Sequence, residues 1–247
     1  PKYWKSIGIN CIDVVFHLGG FVPKSYAEAN RMDRAVEDNI AGTYRLLQGL
    51  SGNPVKLVFA STVDVYAQPE NGEVISEGSR VCPNTLYGAS KLFCESMVSE
   101  WAKACGSTFA ILRYGHIYGP GEGQYQKLIP ETIRNLHFNQ APTLYGDGST
   151  LRDYLYVGDA MEATIRASQV VGSVGPLHVV GGESVSLRRI TQLLISLTES
   201  NVQTIFLRDK KNGYSLRFDN SLMTKLLGNW TMTTLENGLA AEVREFE

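Results

Sequence analysis

The chain has 247 residues, 43% hydrophobic and 19% charged, with a formal net charge of −2; it is long enough to bury a sizeable core and has the composition of a globular protein. Near-neutral charge gives no basis for a nucleic-acid or anionic membrane partner, and no apolar run reaches the ~18 residues of a membrane span. Cys11, Cys82, Cys94 and Cys105 show no CxxC and no dense spacing, so they read as reduced, mostly buried thiols of a cytoplasmic protein, with neither a disulfide frame nor a metal site.

In chain order, the apolar run Cys11 to Leu18, ending at Gly19-Gly20, predicts a buried parallel strand. A helical pattern follows from Val36 to Leu50, with Leu46, Leu47 and Leu50 on its apolar side. Val55 to Ala60 predicts a second strand, closed by the polar Ser61-Thr62. After a loop from Gln68 to Pro83, a helix carries Tyr87 and Lys91 to about Ala104, where Gly106 stops it. Phe109 to Arg113 is a third strand. This alternation predicts an α/β protein with a doubly wound parallel sheet.

Beyond Gly121 the pattern changes. Helices are expected over Lys127 to Phe138, Gly158 to Gln169 and Leu187 to Leu197, the last capped by Ser184. Thr143 to Tyr145, Leu151 to Val157 and Leu177 to Val180 read as extended segments. The tail from Asn201 mixes short strands with a helix near Asn220 to Leu227. No repeat or linker separates two independent domains; a smaller lobe embedded beside the sheet fits best.

In an open parallel sheet, ligands bind outside the carboxyl ends of the strands. Three such ends here are Gly19-Gly20, Ser61-Thr62 and Tyr114-Gly-His116. Tyr87 and Lys91, four apart on a helix, share one face. An ammonium near a phenol favours phenolate, so the pair suits an acid/base working below the free tyrosine value of ~10. With the hydroxyl of Thr62, the trio suits proton transfer at an alcohol or ketone oxygen, coupled to hydride transfer by a nicotinamide.

Six segments extend the pattern: Asp13-Val-Val-Phe-His-Leu-Gly-Gly20, Asn39-Ile-Ala-Gly-Thr43, Ala60-Ser-Thr-Val-Asp-Val-Tyr66, Tyr87-Gly-Ala-Ser-Lys91, Leu112-Arg-Tyr-Gly-His-Ile-Tyr-Gly-Pro-Gly121 and Tyr145-Gly-Asp-Gly-Ser-Thr-Leu-Arg-Asp153. In this order they resemble the extended short-chain dehydrogenase/reductase family, the NAD-dependent epimerases and dehydratases of nucleotide sugars. The resemblance covers most of the chain. It implies a Rossmann-like cofactor-binding part, residues 1–118 and 160–182, and a substrate lobe, residues 119–159 and 183–247.

By this resemblance Tyr87 is the acid/base, Lys91 holds the nicotinamide ribose and lowers the Tyr87 pKa, and Thr62 bonds the sugar oxygen that becomes the ketone. Gly19 and Gly20 let the cofactor approach the backbone, Asn39 faces its adenosine side, and Ser61 and Tyr114 join that wall. His116, Arg152 and Arg208 contact the substrate, the arginines gripping its diphosphate. The implied cofactor is NAD, with NADP open, the implied partner a nucleotide-diphosphate sugar, and the implied assembly a homodimer.

The sequence departs from the family at three places. The glycine-rich pyrophosphate turn is absent, and the roughly sixty residues that carry it in relatives are expected to lie outside this chain. Val63 replaces the first residue of the Asp-Glu pair that 4,6-dehydratases carry after the threonine, which disfavours dehydration; Asp64 remains as a base or positioning group. His116 stands where many relatives have asparagine. The resulting reading is a nucleotide-sugar epimerase acting at C4 through a transient keto sugar. An NAD(P)H-dependent keto-sugar reductase or other sugar-nucleotide short-chain dehydrogenase is the nearest alternative. A non-catalytic nucleotide-sugar-binding relative is the alternative of another class.

Plainer roles are also open. Thr62 can cap a strand end, Asp64 can bond local backbone, and Arg152-Asp153 can form an ion pair. His17 reads as a packed core residue, and Arg208 belongs to a charged run that suits a solvated loop.

Overall fold

A computed structural model describes residues 12–52, 54–70, 72–207 and 213–246. Four parallel strands form the main sheet: β1 (Val14–His17), β2 (Lys56–Thr62), β3 (Thr108–Tyr114) and β7 (Val174–Val179), in the order β1-β2-β3-β7. Successive side chains of a strand point to opposite faces. On β2, Leu57 and Phe59 therefore meet one helical layer while Val58 meets the other.

The first layer is α1 (Gly42–Leu50) and α2 (Leu86–Cys105), which contribute Leu47, Leu50, Cys94 and Val98. A π-helical stretch, Ala35–Ala41, leads into α1. On the other face α4 (Val157–Gln169) packs Ala160, Ala163 and Ala167 against Val58, Ala110 and Leu112. Helix α6 (Ser221–Leu227) joins the same core through Met223 and Leu227. It therefore packs on the sheet part, although the sequence reading placed residues 183–247 wholly in the lobe.

Two small sheets flank the main one. β4 (His116–Tyr118), β6 (Leu151–Tyr156) and β8 (Ser184–Ser186) form one, with β6 in the middle. β5 (Thr143–Tyr145) and β9 (Ile205–Leu207) form the other. Helices α3 (Leu128–His137), α5 (Leu187–Leu197) and α7 (Leu235–Phe246) close a separate core of Ile129, Ile133, Ile190, Leu194, Leu239 and Val243 around Tyr118.

Local chemistry sets the boundaries that matter for the site. Thr85 caps α2, its Oγ1 accepting from Gly88 N at 3.0 Å. Gly106 ends it at φ 65°, a left-handed position that costs glycine little. Strand β2 runs two residues past Ala60, so Ser61 and Thr62 are its buried last residues. The cap of α5 is Ser186, accepting from Arg189 N at 3.2 Å; Ser184 belongs to β8. Of the three described cysteines, all free, Cys94 alone is buried, Cys105 is half-buried and Cys82 is exposed, which corrects the expectation of mostly buried thiols. Among the described residues no helix is long and apolar enough to cross a membrane.

Candidate active site

Helix α2 lays one face against the end of β2. Lys91, 3% exposed, donates from Nζ to Ala60 O at 2.9 Å and lies 5.1 Å from the Phe59 ring centroid. One turn earlier the phenol of Tyr87 interacts with the Thr62 side chain. Thr62 Oγ1 also accepts from Asp64 N at 3.2 Å, capping the turn Val63–Val65. The plain capping role of Thr62 is therefore present, and it leaves the same side chain beside Tyr87.

Tyr87, Thr62, Lys91 and Gly20 gather at the strand ends, where Gly20 lies close to Lys91 and Tyr87 interacts with Thr62. A Cβ on Gly20 would lie 3.3 Å from Lys91 Nζ and 2.8 Å from Asn39 Oδ1. Any side chain there would fill the space over the ammonium. Gly19 meets no such crowding.

Gly88 explains how the phenol reaches Thr62. A Cβ there would stand 2.3 Å from Asp64 O and 2.9 Å from Asp64 C. Only glycine lets the start of α2 come this close to the β2 exit. Gly88→Ala is expected to cost about 1–3 kcal/mol, read by urea unfolding, and to lower turnover more than the stability loss explains.

Electrostatics correct one expectation. Burial, with the Asp64 carboxylate adding to it, pushes the Tyr87 phenol well above the usual tyrosine value, while Thr62 pulls it back. Lys91 does not reverse this, because its ammonium is turned to Ala60 and is itself pulled down by burial. Asp64 is exposed to solvent at the cleft edge, yet its crowded surroundings raise its carboxyl. Its backbone N–H donates to Thr62 Oγ1, and its charge bears on the phenol.

Asn39 is 2% exposed and its amide is engaged within the protein: Oδ1 accepts from Phe21 N at 2.6 Å, and Nδ2 donates to Phe21 O at 3.1 Å and Ser90 Oγ at 2.9 Å. It ties the loop after β1 to α2. Ser61 donates to Glu95 Oε1 at 2.5 Å. Tyr114 OH pairs with Thr164 Oγ1 at 2.5 Å, and burial pushes it up to about 12. These three residues shape the cleft from behind. His17 is half-buried rather than core, with Nε2 2.8 Å from Thr43 Oγ1; burial and Lys91 lower it to about 4.

A second group gathers on β4 and β6, where His116 pairs in register with Tyr154. The His116 ring packs edge-on against Tyr154 at 6.0 Å. Burial, then the charges of Arg152 and Lys127, hold the imidazole near 4, so it is neutral at physiological pH. Its Nδ1 is buried without a hydrogen-bond partner among the described residues. Arg152 donates from Nη1 to Leu151 O and Tyr214 O at 2.8 and 2.7 Å, with its guanidinium 5.7 Å from the Tyr214 ring centroid. It lines a cleft of about 760 Å³ with Gln126, Leu128, Tyr145, Thr150 and Gly213.

Asp153 does not pair with Arg152; its carboxylate accepts from Gly181 N and Gly182 N at 2.7 and 2.8 Å. Arg208 lies outside the described residues. Sequence reasoning missed Tyr214, which stacks on Arg152 and shares a small recess with Asp64, joining the two groups. It also missed Lys127 beside His116. Tyr214 lies in an irregular segment, where no periodicity could mark it. Among the described residues no three His, Cys, Asp or Glu side chains form a metal site.

Residues 5–181 match the model of the NAD dependent epimerase/dehydratase family. The chain belongs to that family, an enzyme family, and has its α/β fold with a parallel sheet. It is 27% identical over 242 residues to the uncharacterized UDP-glucose epimerase YtcB of Bacillus subtilis (strain 168), covering 94% of this chain and 73% of the relative. It is 29% identical over 167 residues to a dTDP-glucose 4,6-dehydratase of Mycolicibacterium smegmatis, covering 64% of this chain and half of that relative. Among solved structures, the UDP-glucuronic acid 4-epimerase from Bacillus cereus in complex with NAD superposes with a TM-score of 0.83 at 25% identity, over 98% of this chain and 76% of that one. The UDP-N-acetylglucosamine 4-epimerase from Methanobrevibacter ruminantium M1 gives 0.84 at 23% identity, over 98% and 80%, a likeness of fold.

Proposed function

We propose that the chain is the catalytic and substrate-binding part of an NAD-dependent nucleotide-sugar 4-epimerase. The observation that carries this is one helix face presenting Tyr87 to Thr62 and Lys91 to Ala60 O, with Gly20 packed close to the Lys91 ammonium. The buried Lys91 ammonium, beside the backbone of Gly20 and the unobstructed Gly19, suits a cofactor ribose. NAD, held there by Lys91 and the Gly19-Gly20 backbone, would supply reversible hydride acceptance at C4 of the sugar.

This chain's residues do the rest. Tyr87 takes the proton of the C4 hydroxyl and later gives it back, while Thr62 hydrogen-bonds the same oxygen. Arg152, with Lys127 and neutral His116 near it, offers the diphosphate positive charge and a donor. Val63 favours epimerisation over dehydration. It is 6% exposed and packs with Val65, Tyr66, Ile75 and Phe218, so the position directly after Thr62 carries no acid to protonate a leaving hydroxyl.

The test is incubation of the full protein with NAD and UDP-, dTDP- or GDP-sugars, followed by proton NMR. A C4 epimer with no net change in cofactor oxidation state is expected. Stoichiometric consumption of NAD(P)H would make it a reductase, and absence of any C4 change across the panel would remove the epimerase reading.

Asp64 gives a sharper prediction. Its carboxylate disfavours phenolate at Tyr87, so Asp64→Asn is expected to move the acidic limb of the kcat–pH profile to lower pH. A limb that stays in place, with kcat lost at every pH, would make Asp64 a reacting base.

A further inference from the structure

Behind the catalytic face of α2 runs a buried polar chain that none of the steps above uses. Glu95, one turn beyond Lys91, accepts from Ser61 Oγ at 2.5 Å. Arg113 on β3 grips the same carboxylate twice, Nε to Oε1 at 2.9 Å and Nη2 to Oε2 at 2.7 Å. Its Nη1 donates to Tyr66 OH at 2.8 Å. Tyr66 OH lies 2.7 Å from His178 Nε2, and His178 Nδ1 lies 3.0 Å from Asp219 O.

The donors fix the direction of every proton. Arg113 can only donate, so the Tyr66 hydrogen goes to His178 Nε2, and Nδ1–H goes to the Asp219 carbonyl. His178 is therefore neutral, in agreement with the downward pull of burial on its pKa.

The chain is dry. Glu95 is 6% and Arg113 3% exposed. Desolvating such a pair offsets most of its attraction, and apolar residues of similar volume usually stabilise a fold as well or better. What the pair fixes is position. Residues 87, 91 and 95 stand one turn apart on α2 and meet Thr62, Ala60 O and Ser61, three successive residues of β2. Lys91 makes one buried polar contact with the backbone of β2; Glu95, clamped by Arg113, makes another, to the Ser61 side chain, one turn further along the same helix. At its far end the chain reaches Asp219, in the segment whose Tyr214 accepts from Arg152.

We propose that Glu95 and Arg113 are positioning residues for proton transfer: their buried ion pair sets the axial register of α2 on β2, and so the approach of Tyr87 to Thr62. The assignment rests on the proton-transfer reading of Tyr87.

Three variants of the full protein test it: Glu95→Gln, Glu95→Leu with Arg113→Leu, and the milder Ser61→Ala should either of the others fail to fold. Each is read by thermal melting, by kcat and KM on the turned-over sugar, and by the 19F resonance of 3-fluorotyrosine at position 87, assigned with Tyr87→Phe. A misplacement on the scale of an ångström costs roughly 100-fold, so kcat is expected to fall by about 10- to 100-fold with KM little changed. The Tyr87 resonance should shift or split. The Leu–Leu variant should regain thermal stability without regaining kcat; a purely structural pair would regain both. A kcat within about twofold of wild type in a folded variant overturns the proposal. Should the wild type turn over no nucleotide sugar, the epimerase reading fails, and the resonance alone decides: moved supports positioning, unmoved overturns it.

Discussion

Replacing Tyr87 by phenylalanine is expected to lower turnover of the nucleotide sugar by about 10²- to 10⁴-fold, the range for loss of a positioned acid/base. KM should change little on the proposed reading, in which Arg152 on β6, in a separate sheet, meets the diphosphate. The variant should also fold and melt like the wild type, since the phenol's interaction with Thr62 is the polar contact it loses. Thr62→Ala should give a smaller loss, for it removes one hydrogen bond to the sugar oxygen and the cap on Asp64 N together. Full turnover by Tyr87→Phe would end the assigned mechanism. A subtler result is also informative. Burial and Asp64 hold the phenol protonated in the chain alone, so the acceptor form requires the positive charge that a bound nicotinamide brings. A pH titration of Tyr87 should therefore move downward when NAD is added.

The parallel sheet was legible because its strands are short apolar runs closed by glycine or hydroxyl residues. β2 and β3 are buried on both faces as that composition implies, whereas β1, expected to be buried, lies at the edge of the described sheet with no buried residue and Phe16 exposed. That Tyr87 and Lys91 lie one turn apart on α2 was legible from spacing. The direction of the ammonium was not: Lys91 turns to Ala60 O, a backbone acceptor that spacing cannot reveal. Helix α7 went unseen because Asn237-Gly238 interrupts its pattern. The structure shows why glycine stands there, since a Cβ at Gly238 would lie 2.1 Å from Tyr118 OH. Asn39 illustrates the general limit. A polar residue at a motif position can face a ligand or be consumed by its own fold, and only its partners, Phe21 and Ser90, distinguish the two.

Folding stability is expected to peak near pH 6.5 and to fall by about 2 kcal/mol toward pH 8.5. Two opposed sets of groups produce the peak. His17 and His116 are lowered to about 4, and His178 is lowered by burial. The unfolded chain takes up protons near the ordinary value of 6.5 while the fold refuses them, so stability is lost as pH drops below that value. Asp153, fully buried, has its carboxyl raised to about 7 despite the Gly181 and Gly182 amides that favour its charge. Glu242 on α7 is also fully buried, and neither of its oxygens has a hydrogen-bond partner among the described residues. Burial, then the neighbouring Glu122, raise its carboxyl; Lys127 opposes them and Glu245 adds to them. Tyr118, on the same core, feels the Glu242 charge in turn. Both carboxyls bind protons more tightly folded than unfolded, so their contribution is complete below the ordinary carboxylate range and is lost as pH rises through the raised values. Glu242→Gln keeps the shape and removes the ionisation. It should raise Tm by several degrees at pH 8.5, at about 2–4 °C per kcal/mol for a chain of this size, and leave pH 5 nearly unchanged. An alkaline decline of unaltered steepness in that variant would assign the effect to Asp153 alone. Because α7 closes the core around Tyr118, which neighbours Tyr154 and through it His116, ionising Glu242 is expected to loosen that core first; if His116 serves the substrate as proposed, activity should then fail at alkaline pH through KM before it fails through kcat.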